Sequence, residues 1–444
     1  KRAPGDTPLI AMADVVRPSH GLAFQDLARR VYFSRSFSYF YASMILLNIA
    51  ILITLLCVLM ILWSRRVHGH RTWRAMTTPL ASIIGSGFLV LGPILENAYG
   101  EYAPLAMAGL CLLAYLFGGA IRYNMAAIER TGGDRGTTVK GLETTASWAL
   151  GFAYIISVAY YLNLFGAFGV SMAPTHVPND AKLLTTAIFG IILFVGWTRG
   201  FRMLENLEYV SVAAKLAIIA GFLLGLGFFV FGRLTDGGLT FTAPSVGAWE
   251  GLVLGFGLIV TVQGFETSRY LGGEYDTRTR IRSMQWAQWL SAAIYVVYIV
   301  LLAYSFGDAK VPFSETAIID MMHLVAPILP GLLVAAALAA QFSAAVADTS
   351  GSGGLFEELT QGRISTRAAY ALLAGVGLAL TWSVNVFEII SYASRAFAAY
   401  YAIQSAIAAA TAWRAGDRLW RVPLYAALCV LGIAIVLFGQ PAES

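Results

Sequence analysis

Apolar segments near the roughly 20 residues that a helix needs to cross a bilayer recur along almost the whole chain, and they restrict its fold more than any motif does. An extra first span covers about 40–63. Core spans, numbered 1 to 11 here, follow at about 79–95, 103–125, 146–170, 181–197, 209–231, 249–271, 287–306, 330–355, 368–382, 386–413 and 422–438. Inside hydrocarbon every backbone N–H and C=O must find a partner within the protein, so repeated spans of this length mean helices. The expectation is an all-α transmembrane chain. Composition agrees, since 58% of the 444 residues are hydrophobic and only 12% charged, outside the range of soluble globular domains. Cys57, Cys111 and Cys429 lie in apolar runs without metal-ligand or disulfide spacing, and they read as small core hydrophobes. No cofactor is expected from such a pattern.

A net charge of +5 raises the question of nucleic acid. The positions of the charges answer it. One set of alternate loops holds Arg65, Arg66, Arg71 and Arg74; Arg122, Arg130, Arg135 and Lys140; Arg199 and Arg202; Arg269, Arg278, Arg280 and Arg282; Arg363 and Arg367; and Arg414, Arg418 and Arg421. The opposite loops after core span 1 hold only Lys182, Arg233 and Lys310. Lys and Arg collect in cytoplasmic loops, so core span 1 starts in the cytoplasm, the extra span runs inward, and both termini lie outside. The basic residues of the tail, from Lys1 to Arg35, run against this rule, but the loop after the extra span is more densely basic. Residues 19–37, with Leu22, Leu27 and Val31 against Arg29 and Arg30, suit either an interfacial helix or a disordered tail. The expected setting is a bacterial inner (plasma) membrane, with lipid and a small-molecule substrate as partners and no nucleic acid.

Core span 1 reads Ile83-Ile84-Gly85-Ser86-Gly87-Phe88 at its centre. Two glycines around a serine let a helix open, and backbone freed at mid-membrane is tolerable only where it lines a cavity. Taken alone, the pair also suits close helix packing. Core span 6 changes the balance, because it reads Gly255-Phe256-Gly257-Leu258-Ile259-Val260-Thr261-Val262-Gln263-Gly264-Phe265-Glu266. Paired interruptions in the first helix of two five-helix halves point to an inverted-repeat transporter with its site at the breaks.

These residues resemble the amino acid-polyamine-organocation (APC) permeases with the LeuT-type five-plus-five inverted repeat. Ile84 to Phe88 is similar to that family's glycine-rich signature in helix 1. Gly264-Phe265-Glu266, followed by Gly273-Glu274-Tyr275-Asp276, is similar to its helix 6, and Ala214-Lys215-Leu216 to the helix 5 lysine of proton-coupled members. The resemblance covers about residues 76–440. It implies broken helices 1 and 6, one extra N-terminal helix and an eleventh core helix. The segments are then a tail at 1–39, the extra helix and basic linker at 40–75, a first repeat at 76–235, a second at 236–420, and a last helix with a short tail at 421–444. Two departures matter. Ile259 to Gln263 stand where the family has an aromatic before the helix 6 glycine. Helix 8 reads Ser343 to Gly353 through Asp348, Thr349 and Ser350, closer to sodium-solute symporters, where such oxygens help bind Na+ against helix 1.

Ionisable groups in mid-membrane are expensive and are functional candidates by default. Glu266 is, by resemblance, a proton-sensitive or gating acid; its alternative is a carboxylate that caps the freed backbone. Lys215 suits proton exchange or acts as a fixed cation tying helices 1, 5 and 8. Asp348 is expected to pair with it. Arg395 in helix 10 is a gate or a packing residue. For the substrate, the half-helix starting near Gly87 offers N–H groups to a carboxylate, and carbonyls freed around Val260 to Gln263 accept from an amine. Ile84, Gly85, Ser86, Gly87, Val260, Thr261, Gln263, Gly264 and Tyr161, with Tyr160 beside it, form the expected substrate site. Lys215, Asp348, Glu266, Thr349, Ser350 and Arg395 form the coupling or gating set.

The expected function is secondary transport of an amino acid or related amine or carboxylate by alternating access, proton-coupled or by exchange. A sodium-coupled symporter, with Na+ near helices 1 and 8, is the alternative. A sensor or assembly subunit that retains the fold without transporting is the reading from another class, with residues 1–75 free to contact a protein partner or a second copy. No nucleophile–base set or metal cluster at recognisable spacing suggests an enzyme.

Overall fold

The computed structural model describes residues 44–85, 87–131, 136–173, 179–198, 208–307, 312–417 and 419–442. The tail at 1–39, its expected interfacial helix, and Ser86 lie outside them, as do Arg135, Arg199, Arg202, Lys310 and Arg418. By internal contacts the chain divides into residues 1–50 and 51–444. Only 44–50 of the first unit are described, as the beginning of a helix.

That helix, α1, is Met44–Trp63. Core span 1 is two pieces, α2 (Arg71–Ile83) and α3 (Gly87–Tyr99). Then come α4 (Ala103–Thr131), α5 (Thr137–Val170), α6 (Asp180–Thr198) and α7 (Glu208–Thr235). Core span 6 is broken as well, into α8 (Ala248–Gly257), a 3-10 turn at Ile259–Val262 and a 3-10 segment at Phe265–Gly273. The chain continues through α9 (Thr277–Ala303), the short α10 (Ala317–His323), α11 (Leu329–Leu359), α12 (Thr366–Ser383), α13 (Val386–Arg414) and α14 (Arg421–Phe438). The described residues are helical throughout their ordered elements, with no strand.

Eight helices among the described residues are long and apolar enough to cross a membrane, fewer than the spans read from sequence. Two physical reasons account for the difference. The pieces α2 and α8, of 13 and 10 residues, are too short because their spans break, which leaves α3 joined with α4 as the single span Gly87–Arg130. The 18 residues of α12 begin and end on polar groups, Thr366 and Arg367 at one end and Ser383 at the other. In α13 Glu388, Arg395 and polar residues interrupt the apolar run, many of them turned inward, where Ser391, Ser394, Gln404 and Ser405 are buried.

The centre of the bundle is α5. Its most apolar stretch is 78% buried, against 22% for α6 and for α14, so α6 and α14 present their apolar faces to lipid. The most extensive packing joins α5 to α11 and α13, and α13 to α14, while α9 lies along α2 and α4. On α7, Gly221 lets the α1 backbone come close: a Cβ there would lie 3.1 Å from the Ile51 carbonyl oxygen, the small-residue contact that replaces hydrophobic driving force between membrane helices. The Tyr209 hydroxyl, near the start of α7, also donates to the Leu62 carbonyl.

Asp276 starts α9 as its N-cap, accepting from the Thr279 N–H at 3.2 Å and the Thr279 hydroxyl at 2.6 Å. Those bonds, with Arg71 at 3.3 Å a smaller influence, hold its carboxyl below the usual carboxylate range. A carboxyl depressed in the folded state contributes stability above its unfolded pKa and loses it as pH falls through the folded value. Acidification below about pH 4 should therefore remove this contribution. Thermal melts of wild type and Asp276→Asn should converge there and separate at neutral pH.

Candidate functional site

The two breaks meet in the core. Between them, Ile84, Gly85, Gly87, Val260, Thr261, Gln263 and Gly264 are all buried. A Cβ on Gly87 would lie 2.8 Å from the Thr261 Cα and 3.0 Å from the Tyr160 hydroxyl oxygen, so backbone touches backbone where α3 begins. Gly264 has φ +110° and ψ −10°, a left-handed conformation that L side chains avoid. It too presses on the other break, since an added Cβ would lie 2.8 Å from the Ile83 nitrogen.

Freed backbone at the breaks is satisfied by single hydroxyls from neighbouring helices, as it must be away from water. Tyr295 of α9 places its hydroxyl 2.9 Å from the Ile83 carbonyl and 2.7 Å from that of Thr261, so its one proton is shared between carbonyls of the two breaks. Ser394 of α13 donates to the Gly257 carbonyl at 2.6 Å and accepts from the Val260 N–H at 3.0 Å. The Thr261 hydroxyl turns back to the Leu258 carbonyl. Gln263 donates from Nε2 to the Tyr161 hydroxyl at 3.0 Å, and its buried Oε1 has no hydrogen-bond partner among the described residues. Glu266 Oε2 accepts from the Gly264 N–H and the Tyr401 hydroxyl, each at 3.0 Å. The backbone-capping role is therefore filled by one oxygen; Oε1 is buried with no hydrogen-bond partner among the described residues.

Lys215 and Asp348 are held by different elements. The Lys215 ammonium donates to the Ala81 carbonyl at 2.9 Å, in the last turn of α2, where unpaired carbonyls make the negative end of the helix dipole. It borders a cavity of about 20 Å³, room for one water-sized group. Gly85 and Phe88 form one wall; Leu333, Ala336, Ala337 and Ala340 of α11 form another. Asp348 lies about 12 Å further along α11 at 1.5 Å per residue, and Ser157 of α5 donates to its Oδ2. The expected Lys215–Asp348 pair is thus replaced by two separate anchors. Thr349 and Ser350 lie further along α11 than this cavity, and the Thr349 hydroxyl donates to the Ala345 carbonyl of its own helix at 2.6 Å. Asp348 instead lies within electrostatic range of Glu266.

Arg395 follows Ser394 on α13, and its Nε donates to the Val436 carbonyl at 2.6 Å, tying α13 to α14 as its packing reading expects.

A second cluster closes the basic-loop side below Glu266. Arg269 forms an ion pair with Glu143 of α5 at 2.5 Å and bonds Gln404 of α13. Gln404 Oε1 also accepts from Asn124 of α4 at 2.9 Å, and Arg280 of α9 donates to the Arg269 carbonyl at 2.6 Å. Glu266 and Arg269 are three residues apart on one segment, and their partners Tyr401 and Gln404 are three apart on α13, so inner acid and outer ion pair form two rungs between the same elements. The Arg269 and Glu143 side chains are 14% and 23% exposed, little enough for the pair to count. Arg269→Ala or Glu143→Gln should each cost about 1.5–3 kcal/mol, and the double variant little more than either, as read by a double-mutant cycle on thermal melts.

Over residues 65–439 the chain matches the family described as APC superfamily transporter. An uncharacterized protein of Aquifex aeolicus (strain VF5) is similar, 42% identical over 385 residues that cover 85% of this chain and 93% of the relative. The family match begins after α1 and includes both breaks.

Proposed function

This chain belongs to the APC superfamily of transporters, and we propose that it carries an amino acid or a related small amine or carboxylate by alternating access, coupled to protons or to exchange of solutes. The meeting of the two broken helices at Gly87 and Thr261 carries the reading. The start of α3 is the positive end of a helix dipole and suits a carboxylate, while Val260 to Gln263 and the open Gln263 Oε1 suit an amine. Gly85, Gly87, Thr261, Gln263 and Tyr161 are the substrate contacts of this reading. The site is closed in this conformation, with Thr261 and Tyr160 against Gly87, and the Arg269 cluster is its door on the basic-loop side. The five-plus-five inverted repeat accounts for a break at the same place in both halves.

Proton coupling or exchange is favoured over sodium by Lys215, which supplies a cation where α2 ends. Glu266 and Asp348 are the acids available to bind a proton. Uptake of labelled amino acids into liposomes holding the purified protein tests the reading. Accumulation driven by an inward proton gradient, or exchange against preloaded amino acid, is expected with choline in place of sodium. Binding without flux would instead favour the sensor, and flux that requires sodium would favour the symporter.

A further inference from the structure

Gln341 of α11 is fully buried, and among the described residues neither its Nε2 nor its Oε1 has a hydrogen-bond partner. Buried polar side chains nearly always have partners, and an amide with both ends unmade inside a membrane helix needs a reason. Register shows where it points. Asp348, two turns on, has nearly the same angular position around a helix, and it faces α5, bonded by Ser157. Gly351 meets Tyr154 and Gly169 approaches Leu338, so the two helices run antiparallel. That register sets Gln341 opposite Leu164, about one turn beyond Tyr161. Tyr161 is the partner of Gln263, whose own Oε1 is unfilled. Ala337, one turn before Gln341, borders the cavity at Gly85 and Lys215. Gln341 therefore stands at the level of the breaks, on the α11 wall, away from the backbone groups suited to an amine and a carboxylate.

We propose that Gln341 is a specificity-determining residue that reads the substrate's side chain, and that this side chain is neutral and hydrogen-bonding, a carboxamide or a hydroxyl. The inference rests on the amino-acid reading above. Its chemistry follows from the amide left open: Gln341 offers two donors and an acceptor and carries no charge. A site whose polar groups pair only with the right substrate rejects an apolar analogue strongly, because that analogue leaves them unpaired.

The test uses the full chain in detergent, with L-glutamine, L-methionine and L-glutamate as probes and thermal stabilisation as readout. Wild type should respond to L-glutamine at concentrations at least about tenfold lower than to L-methionine of similar size. Gln341→Met should melt no lower than wild type without ligand, since it removes unpaired polar atoms, and should lose that preference. Should it fail to fold, Gln341→Asn keeps the amide one methylene shorter and should weaken the response to L-glutamine. A wild type that does not distinguish glutamine from methionine, or a Gln341→Met protein that keeps the preference, overturns the inference and leaves amino-acid transport standing. A wild type stabilised by none of the probes and carrying none in liposomes overturns both.

Discussion

Gly264→Ala is expected to abolish transport and to lower stability by about 2–6 kcal/mol, the combined range for a non-glycine residue in a left-handed conformation and an overpacked core. The backbone there has φ +110°, and the new methyl would strike Ser82 and the Ile83 nitrogen across the junction of the breaks. It could move away only by separating the two breaks. That would draw Thr261 from Gly87 and loosen the two carbonyls that Tyr295 holds together. Gly273→Ala is the control: it lies in the same 3-10 segment, and a Cβ there meets nothing within 4 Å. Melting curves and liposome uptake on both variants check the expectation. Equal behaviour of the two would mean that the junction at Gly264 has no special role.

The breaks were legible because glycines and polar residues are conspicuous in an apolar span, and the basic loops were legible by the same contrast. What satisfies the breaks was not. Tyr295 and Ser394 are single hydroxyls on otherwise ordinary helices, and nothing in their local sequence says that they face carbonyls freed dozens of residues earlier. Arg269 was hidden for a different reason: counted among loop charges, it continues the broken sixth span and turns inward to Glu143. Asp348 stands in an apolar run and is buried on α11, but its partner depends on the antiparallel register of α5 and α11, which periodicity within one helix does not contain. Ala337 and Ala340 border the cavity beside Gly85, two to three turns before Asp348 and Thr349.

Lys215→Met and Lys215→Arg should separate the two roles open to this cation. Met keeps the length of the side chain and removes the charge, leaving the Ala81 carbonyl without its donor. Stability should fall by about 1.5–3 kcal/mol, the range for a hydrogen bond to a charged group, and the small cavity beside Gly85 offers little space for water in exchange. Arg keeps a permanent charge but cannot release a proton. If Lys215 exchanges protons during transport, uptake by wild type rises as the outer pH falls from about 8 to 5, and both variants lose that dependence while Arg retains most of the stability. If Lys215 only ties α2 to α7, Arg restores transport with its pH dependence intact, and the proton passes through Glu266 and Asp348. In that case Asp348→Asn, with Ser157 able to bond the amide oxygen in place of the carboxylate, should leave the protein folded and flatten the pH profile. The two outcomes exclude each other, and uptake measured against pH in the three variants distinguishes them.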